Sequence, residues 1–384
     1  MSSIKSLDTV ILDLPPSCIE FDRRHPEYAI VGTYNLEKSS EEDNIARNDD
    51  ASTIGEAKTP QSRNGSLILI KVSGDEVKLI LTHSTPSAIL DIHFAPNSPE
   101  FGVATSTGSV DIYTLNFDSP DSPQIIHSRC LQYFPTDVLV TAFSWNWTGS
   151  YLAMTLSDGR VCLGSSRSAE RWLCLGAHDL EAWTLAFTPD GKSIFSGGDD
   201  SALKYWKDTS ILWNYSRLKT RAENEDKGEK VATWSVNRVH GAGVTAILPI
   251  ESSDKQDENV VLTGSYDDHI RLVHAPPSGR RSVLTEMNLG GGVWRIKQLG
   301  TDNAHKTYSA DFLVSCMHAG TRIVRLSRHE VDSGSEWRFE VLAKFEEHKS
   351  MNYGSDYQEP QGDRKERTFV TTSFYDRLLC LWRF

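Results

Sequence analysis

Six segments of this chain can be laid over one another, and no other feature narrows the possible folds so far. They are VATSTGSVDIY (103–113), MTLSDGRVCLG (154–164), SGGDDSALKYW (196–206), TGSYDDHIRLV (263–273), SCMHAGTRIVR (315–325) and TTSFYDRLLCLW (371–382). Each reads as a strand, a tight turn built from Gly, Asp and Ser, and a second strand that alternates apolar and polar residues. The turn residues Gly108, Gly159, Ser201, Asp268, Gly320 and Arg377 fall 51, 42, 67, 52 and 57 positions apart. A further strand precedes each of the first five: AILDIHF, VTAFSW, AWTLAF, GVTAIL and GVWRIK. An earlier, seventh unit fits CIEFD, YAIVGTY and SLILIKV.

Four short strands repeated every ~40–50 residues predict an all-β ring of antiparallel blades, a seven-bladed β-propeller. Helical periodicity is absent over any long window. The TVILDL strand near the N-terminus has no hairpin partner of its own, and the last unit stops one strand short at Trp382. Residues 9–14 are therefore expected to supply the outer strand of the last blade and close the ring, making 1–384 a single domain. Residues 37–64 are polar and poor in large apolar groups, the composition of a disordered insertion. Residues 217–230, 251–258 and 354–367 are expected to be further solvated loops.

Charge and composition remove several classes of function. The balance of 40 Lys+Arg against 52 Asp+Glu, net −12, with no basic stripe, argues against nucleic acid as a partner. The first residues, MSSIKSLDTV, lack the apolar core of a signal peptide, and no run approaches the ~18 apolar residues of a membrane span. Six cysteines (Cys18, Cys130, Cys162, Cys174, Cys316 and Cys380) form no Cys-x-x-Cys pair. That pattern speaks against zinc and for reduced thiols of the cytosol or nucleus, with the cytoplasm the expected setting. No element carries His, Cys and carboxylates at ligand spacing, so neither metal nor cofactor is expected, and the chain is read as a monomer. It contains no G-x-S-x-G and no H-E-x-x-H, and its glycine-rich stretch, GGGVWRIK, precedes a strand rather than opening a helix.

The units resemble WD repeats, in which a turn Asp, a His ahead of the first strand, a Ser or Thr and a Trp form a buried hydrogen-bonded network. Asp200 with Trp206 and Asp376 with Trp382 keep that spacing, and His178, His240 and His348 stand where the family's His would be. No Trp-Asp dipeptide occurs anywhere. Asp158, Asp200, Asp267, Asp376 and the three histidines are read as structural, since buried polar groups need partners.

In WD propellers the turns within the repeats and the approaches to the blades open on one face. Here that face gathers GTYNLE (32–37), SAILD (87–91), HDLEAW (178–183), GGDD (197–200), GSYDDH (264–269), GGVWR (291–295), MHAG (317–320), NYGSD (352–356) and SFYD (373–376). In this order, from about residue 28 to the C-terminus, these words resemble the diphthine methyl ester hydrolases, the WD-repeat family of diphthamide biosynthesis. The resemblance implies a carboxylic-ester hydrolase acting on elongation factor 2, where it would cleave the methyl ester of a modified histidine to leave diphthine and methanol. That substrate carries a trimethylammonium, for which Trp183, Tyr266, Trp294, Phe374 and Tyr375 are candidate aromatic walls. Glu181 and Asp268, with Asp199, would add Coulombic attraction. His318, Arg295 and Asp199 are the catalytic candidates, with His318 activating water and Arg295 or a backbone N–H of 290–292 facing the oxyanion. Ser265 or Ser373 is the alternative nucleophile. The rival expectation is a non-catalytic scaffold that holds a protein partner on an acidic top face.

Overall fold

A computed structural model describes residues 4–36, 62–117, 123–216, 232–251, 259–302, 308–331, 334–360 and 365–384. The second strand of a repeat shows why this sequence makes blades. In Tyr28–Thr33, Tyr151–Leu156, Val260–Ser265 and Thr368–Ser373 all six residues are buried. A strand covered on both faces must sit in a sheet sandwiched between two others. Successive side chains then serve different neighbours: Tyr28 and Ile30 pack toward the second blade, Ala29 and Val31 toward the last. The described residues form seven such sheets and seven apolar clusters, one in each gap between consecutive blades. Seven gaps for seven blades means a closed ring.

Blade 1 runs from Pro16–Phe21 through Tyr28–Thr33 and Arg63–Ser73 to Glu76–Thr85. The inner strands of blades 2 to 7 are Ile89–Phe94, Val140–Trp145, Ala182–Phe187, Val244–Pro249, Arg295–Asp302 and Asn352–Gln358. Closure follows the expected route. Asp8–Ile11 pairs antiparallel with Leu378–Arg383 as the outer strand of blade 7, and Leu12 behind it is buried. The strand begins one residue earlier and ends three earlier than 9–14. A short helix, Thr209–Ser216, follows the third strand of blade 4. No helix among the described residues is long and apolar enough to cross a membrane.

All six superposed turn residues hold the left-handed backbone conformation. The φ angles are 77° at Gly108, 87° at Gly159, 59° at Ser201, 68° at Asp268, 78° at Gly320 and 53° at Arg377. The repeat alignment thus matched positions of one geometry, although only three are glycine.

Two loop expectations are corrected. Of the insertion 37–64, residues 37–61 lie outside the described residues. Arg63 and Asn64, however, open a strand of blade 1 and pair with Leu36 and Asn35, helped by Asn35 Nδ2 donating to Asn64 Oδ1 at 3.0 Å. The expected loop 354–367 begins within the inner strand of blade 7. Its polar residues are buried because each finds a partner: Ser355 bonds Ser315, while Asp356 accepts from Phe21 N and pairs with Lys297. Of the other two expected loops, all of 217–230 and residues 252–258 of 251–258 lie outside the described residues.

Candidate functional site

Near the top of six inner strands the pairing register jumps by one extra residue or more, at Ser17, Leu90, Thr141, Trp183, Thr245 and between Asn352 and Ser355. Such a β-bulge re-aims the side chain it carries. Where that residue is small and polar, its hydroxyl reaches the next blade: Ser17 donates to Ile89 O, Thr141 to Ala182 O and Thr245 to Val293 O. Where it is aromatic it is left for the mouth of the channel. Trp183 and Tyr353 occupy this position, and Trp294 stands just ahead of the inner strand of blade 6, its N–H bound to Ser315 O.

These rings form one continuous train across blades 4, 6, 7 and 1. Centroids lie 5.8 Å apart for Trp183 and Trp294, 4.9 Å for Trp294 and Tyr353, and 5.5 Å for Tyr353 and Phe374. Tyr266 of blade 5 joins at Trp294, 6.0 Å away. Tyr34 and Tyr375 flank Phe374 at 6.2 and 5.1 Å. Tyr266 is wedged between two glycines: a methyl on Gly243 would meet its ring at 3.0 Å, and one on Gly292 at 3.5 Å.

The charge beside this train is negative. Burial raises the carboxyl of Asp199 above its ordinary range, the indole N–H of Trp183 lowers it, and the charges of Glu181 and Asp200 raise it further. That indole Nε1 is buried and closes no hydrogen bond of normal length, so it remains able to donate. The Tyr266 phenol is likewise pushed up, first by burial and then by Asp199 and Tyr353. Of the residues expected from sequence, Trp183, Tyr266, Trp294, Phe374, Tyr375, Asp199 and Glu181 therefore converge. Tyr353 and Tyr34 were missed. NYGSD and GTYNLE were placed on this face, and the equivalence of Tyr353 to Trp183 and Trp294 in the repeat was the usable signal.

The other candidates are placed differently. His318 is exposed at the tip of a turn in blade 6. Asp268 sits in the left-handed corner after Tyr266, its carbonyl accepting from Leu289 N. Ser265 is fully buried with its hydroxyl given to Ala242 O, and Ser373 is fully buried with its Oγ unpaired. Arg295 points across the channel to Asp91 of blade 2, 2.8 Å away.

That pair belongs to a charged layer inside the ring that sequence patterning did not show. Glu20 holds His93 Nδ1 at 2.7 Å, His93 Nε2 lies 3.2 Å from Asp91, and Lys297 meets Asp356 at 2.9 Å. Burial alone would lower the imidazole of His93, but the charges of Asp91 and Glu20 overcome it and raise it to about 10. Burial would raise Asp91, yet Arg295 and His93 hold it down at about 2. A cavity of about 480 Å³ adjoins this layer, walled on its other side by Trp145, Trp147, Phe187 and Pro189.

The WD-type histidines are structural. In blade 4, His178 Nδ1 meets Asp200 and its Nε2 meets Ser196 Oγ, both at 2.8 Å; Trp206 Nε1 donates to the same Oγ at 2.8 Å. In blade 7, His348 and Trp382 share Thr371 Oγ1, and in blade 5 His240 bonds Thr263 Oγ1.

Comparison with known proteins agrees with this architecture. The family model described as WD domain, G-beta repeat, matches residues 171–207. A chain in the crystal structure of a mitotic checkpoint complex superposes with a TM-score of 0.60 at 13% identity, covering 100% of this chain and 92% of that one, a likeness of fold. The protein named diphthine methyltransferase in Schizosaccharomyces pombe is 28% identical over 96% of this chain and 95% of its own length. The diphthine methyltransferase homolog of Dictyostelium discoideum is 28% identical over 98% of both. These names correct the expected activity. They denote methyl transfer, so the assignment as a methyl ester hydrolase, a carboxylic-ester hydrolase, is withdrawn. The geometry offers that chemistry little as well, with both candidate serines sealed and Arg295 held by Asp91. By fold and by sequence over nearly its whole length, the chain is a WD-repeat β-propeller related to the proteins named diphthine methyltransferase.

Proposed function

We propose that this chain acts in diphthamide biosynthesis, binding the diphthine side chain of elongation factor 2 at its top mouth in the methyl-transfer step for which its relatives are named. The observation that carries the reading is the aromatic train Trp183–Trp294–Tyr353–Phe374 with Tyr266 and Asp199 beside it. Aromatic faces attract a quaternary ammonium by about 0.5–2 kcal/mol each, and a neighbouring carboxylate adds to that attraction. The methyl group has to come from a donor outside the chain. The positive sulfur of a sulfonium donor makes the same demand on Trp183, Trp294 and Asp199 as the ammonium does, and these residues fit it. A rim with Tyr375 at 72% exposure and Leu180 at 53% suits contact with a macromolecular substrate. A cytoplasmic setting accords with six cysteines that are all free.

The test is to mix the purified chain, a sulfonium methyl donor and elongation factor 2 carrying diphthine or its less methylated precursors, and follow the mass of the modified peptide. Growth by methyl increments that requires the chain supports the reading. Unchanged mass, with tighter binding of the modified than the unmodified factor, leaves recognition in place and moves the chain to a carrier. Equal binding of both forms overturns the assignment of the mouth.

A further inference from the structure

Blade 3 carries two thiols on opposed residues of its two outermost strands. Arg160–Ser165 and Ser168–Ala177 run antiparallel with Val161 opposite Gly176 and Cys162 opposite Cys174, so Leu175 is an extra residue. Gly176 closes this bulge at φ 146°, a conformation open to glycine, and Leu175 turns into the core between blades 3 and 4. Cys174 is thereby left facing Cys162. Opposed residues of antiparallel strands have Cα atoms about 4.5–5.5 Å apart. A disulfide spans about 4.4–6.8 Å, so one could form here without moving the backbone.

The two sulfurs have unequal surroundings. Cys162 is fully buried, whereas Cys174 is half-buried. The Cys174 thiol donates to Gly176 O at 3.6 Å, and the Cys162 thiol beside it, followed by Gly176 and Arg160, holds Cys174 at about 7 against the pull of burial. Among the remaining cysteines, Cys18, Cys316 and Cys380 are buried. Cys130 is exposed but stands opposite Asp111 rather than a thiol.

We propose that Cys162 and Cys174 form a dithiol modification site, which a low-molecular-weight disulfide such as glutathione disulfide converts to an intramolecular disulfide. Cys174, as thiolate, attacks one sulfur of glutathione disulfide; the S–S bond breaks and glutathione leaves as a thiolate that takes up a proton. Cys162 then attacks the Cys174 sulfur of the mixed disulfide and gives its proton to the second departing glutathione. Two protein thiols are oxidised by two electrons and one glutathione disulfide is reduced to two glutathiones. An attacking thiol that ionises near the ambient pH is well suited to the first step.

The experiment uses the full chain with Cys130→Ser, which removes the exposed competitor. Glutathione disulfide is added at neutral pH, free thiols are trapped with an alkylating agent, and peptides are weighed. The expected result is loss of both thiols from alkylation, a linked Cys162–Cys174 peptide pair, no retained glutathione, and recovery of both thiols with dithiothreitol. Cys162→Ala should stop at a stable glutathione adduct on Cys174, and Cys174→Ser should abolish the reaction. A persistent adduct on Cys174 when Cys162 is present, or alkylation of both thiols as in the reduced control, overturns the proposal.

Discussion

Gly243 has room for nothing larger than hydrogen, and the reason lies in the mouth it borders. A methyl there would come within 2.6 Å of Asp199 Oδ1 and 3.0 Å of the Tyr266 ring, so Ala at this position must push one of them aside. Its backbone φ is not in the left-handed region, so the fold should survive. Gly243→Ala is expected to keep a melting temperature within a few degrees of the parent while binding diphthine-bearing elongation factor 2 about tenfold more weakly, read by calorimetric titration. Tyr353 makes a sharper case, since its ring joins Trp294 to Phe374. Tyr353→Ala should cost about 0.5–2 kcal/mol of that binding, whereas Tyr353→Phe, which keeps the π face, should cost little. Equal losses for Ala and Phe would show that the hydroxyl, not the face, is what matters. Trp183 and Trp294 could be picked from sequence because tryptophan is conspicuous. Tyr353 was not, because a tyrosine in a polar stretch looks like loop until the bulge places it.

Secondary structure was legible wherever burial imposed a pattern. The left-handed turns could be aligned because a tight turn between two strands tolerates few residue types, and the fully buried second strands stand out as unbroken small and apolar runs. The inner strand of blade 7 was harder than the other six, because the channel lets polar residues be buried in pairs. Its stretch from Gly354 to Gln358 looked like loop for that reason. The strand Asp8–Ile11 could be inferred only by counting, since closure of the ring required it. Its register, Asp8 opposite Leu381 through Ile11 opposite Leu378, covers the edge of blade 7, and Leu12 fills the core beneath. Removing residues 1–12 should expose that edge, and an uncovered strand edge pairs with other chains. The truncated chain is expected to lose the roughly 2–5 kcal/mol that one large buried aliphatic contributes, and more from the strand itself. It should also show concentration-dependent self-association in sedimentation, while Leu12→Ala alone should lower the denaturant midpoint without association.

The propeller as a whole is tied across its channel as well as around its rim. Arg295 and Asp91 are 204 positions apart in sequence, and the layer they share balances three acids (Glu20, Asp91 and Asp356) against three bases (His93, Arg295 and Lys297). No local pattern reveals the pairs between blades, since Glu20, Asp91, Arg295 and Asp356 sit in four different repeats and only the closed ring brings Arg295 to Asp91. Their titration makes the stability of the whole ring depend on pH. His93 is raised from 6.5 to about 10 in the fold, so its contribution is complete below pH 6.5 and is lost as pH climbs toward 10. His93 is 32% exposed to the channel, which damps this loss. His240 and His348 behave oppositely: burial first, with Arg271 assisting at His240, holds each neutral down to about 4. Their contribution is present above pH 6.5 and disappears as pH falls toward 4. Asp91, ordinarily 3.8 and held at about 2, adds a further loss only below pH 3.8. Stability should therefore peak near pH 6.5 and fall on both sides, measured as denaturant midpoint across pH 4–10. In His93→Gln the alkaline limb should flatten while the acid limb, which belongs to His240 and His348, stays. If the alkaline limb of His93→Gln matches that of the parent, the charged layer does not govern the stability of the ring.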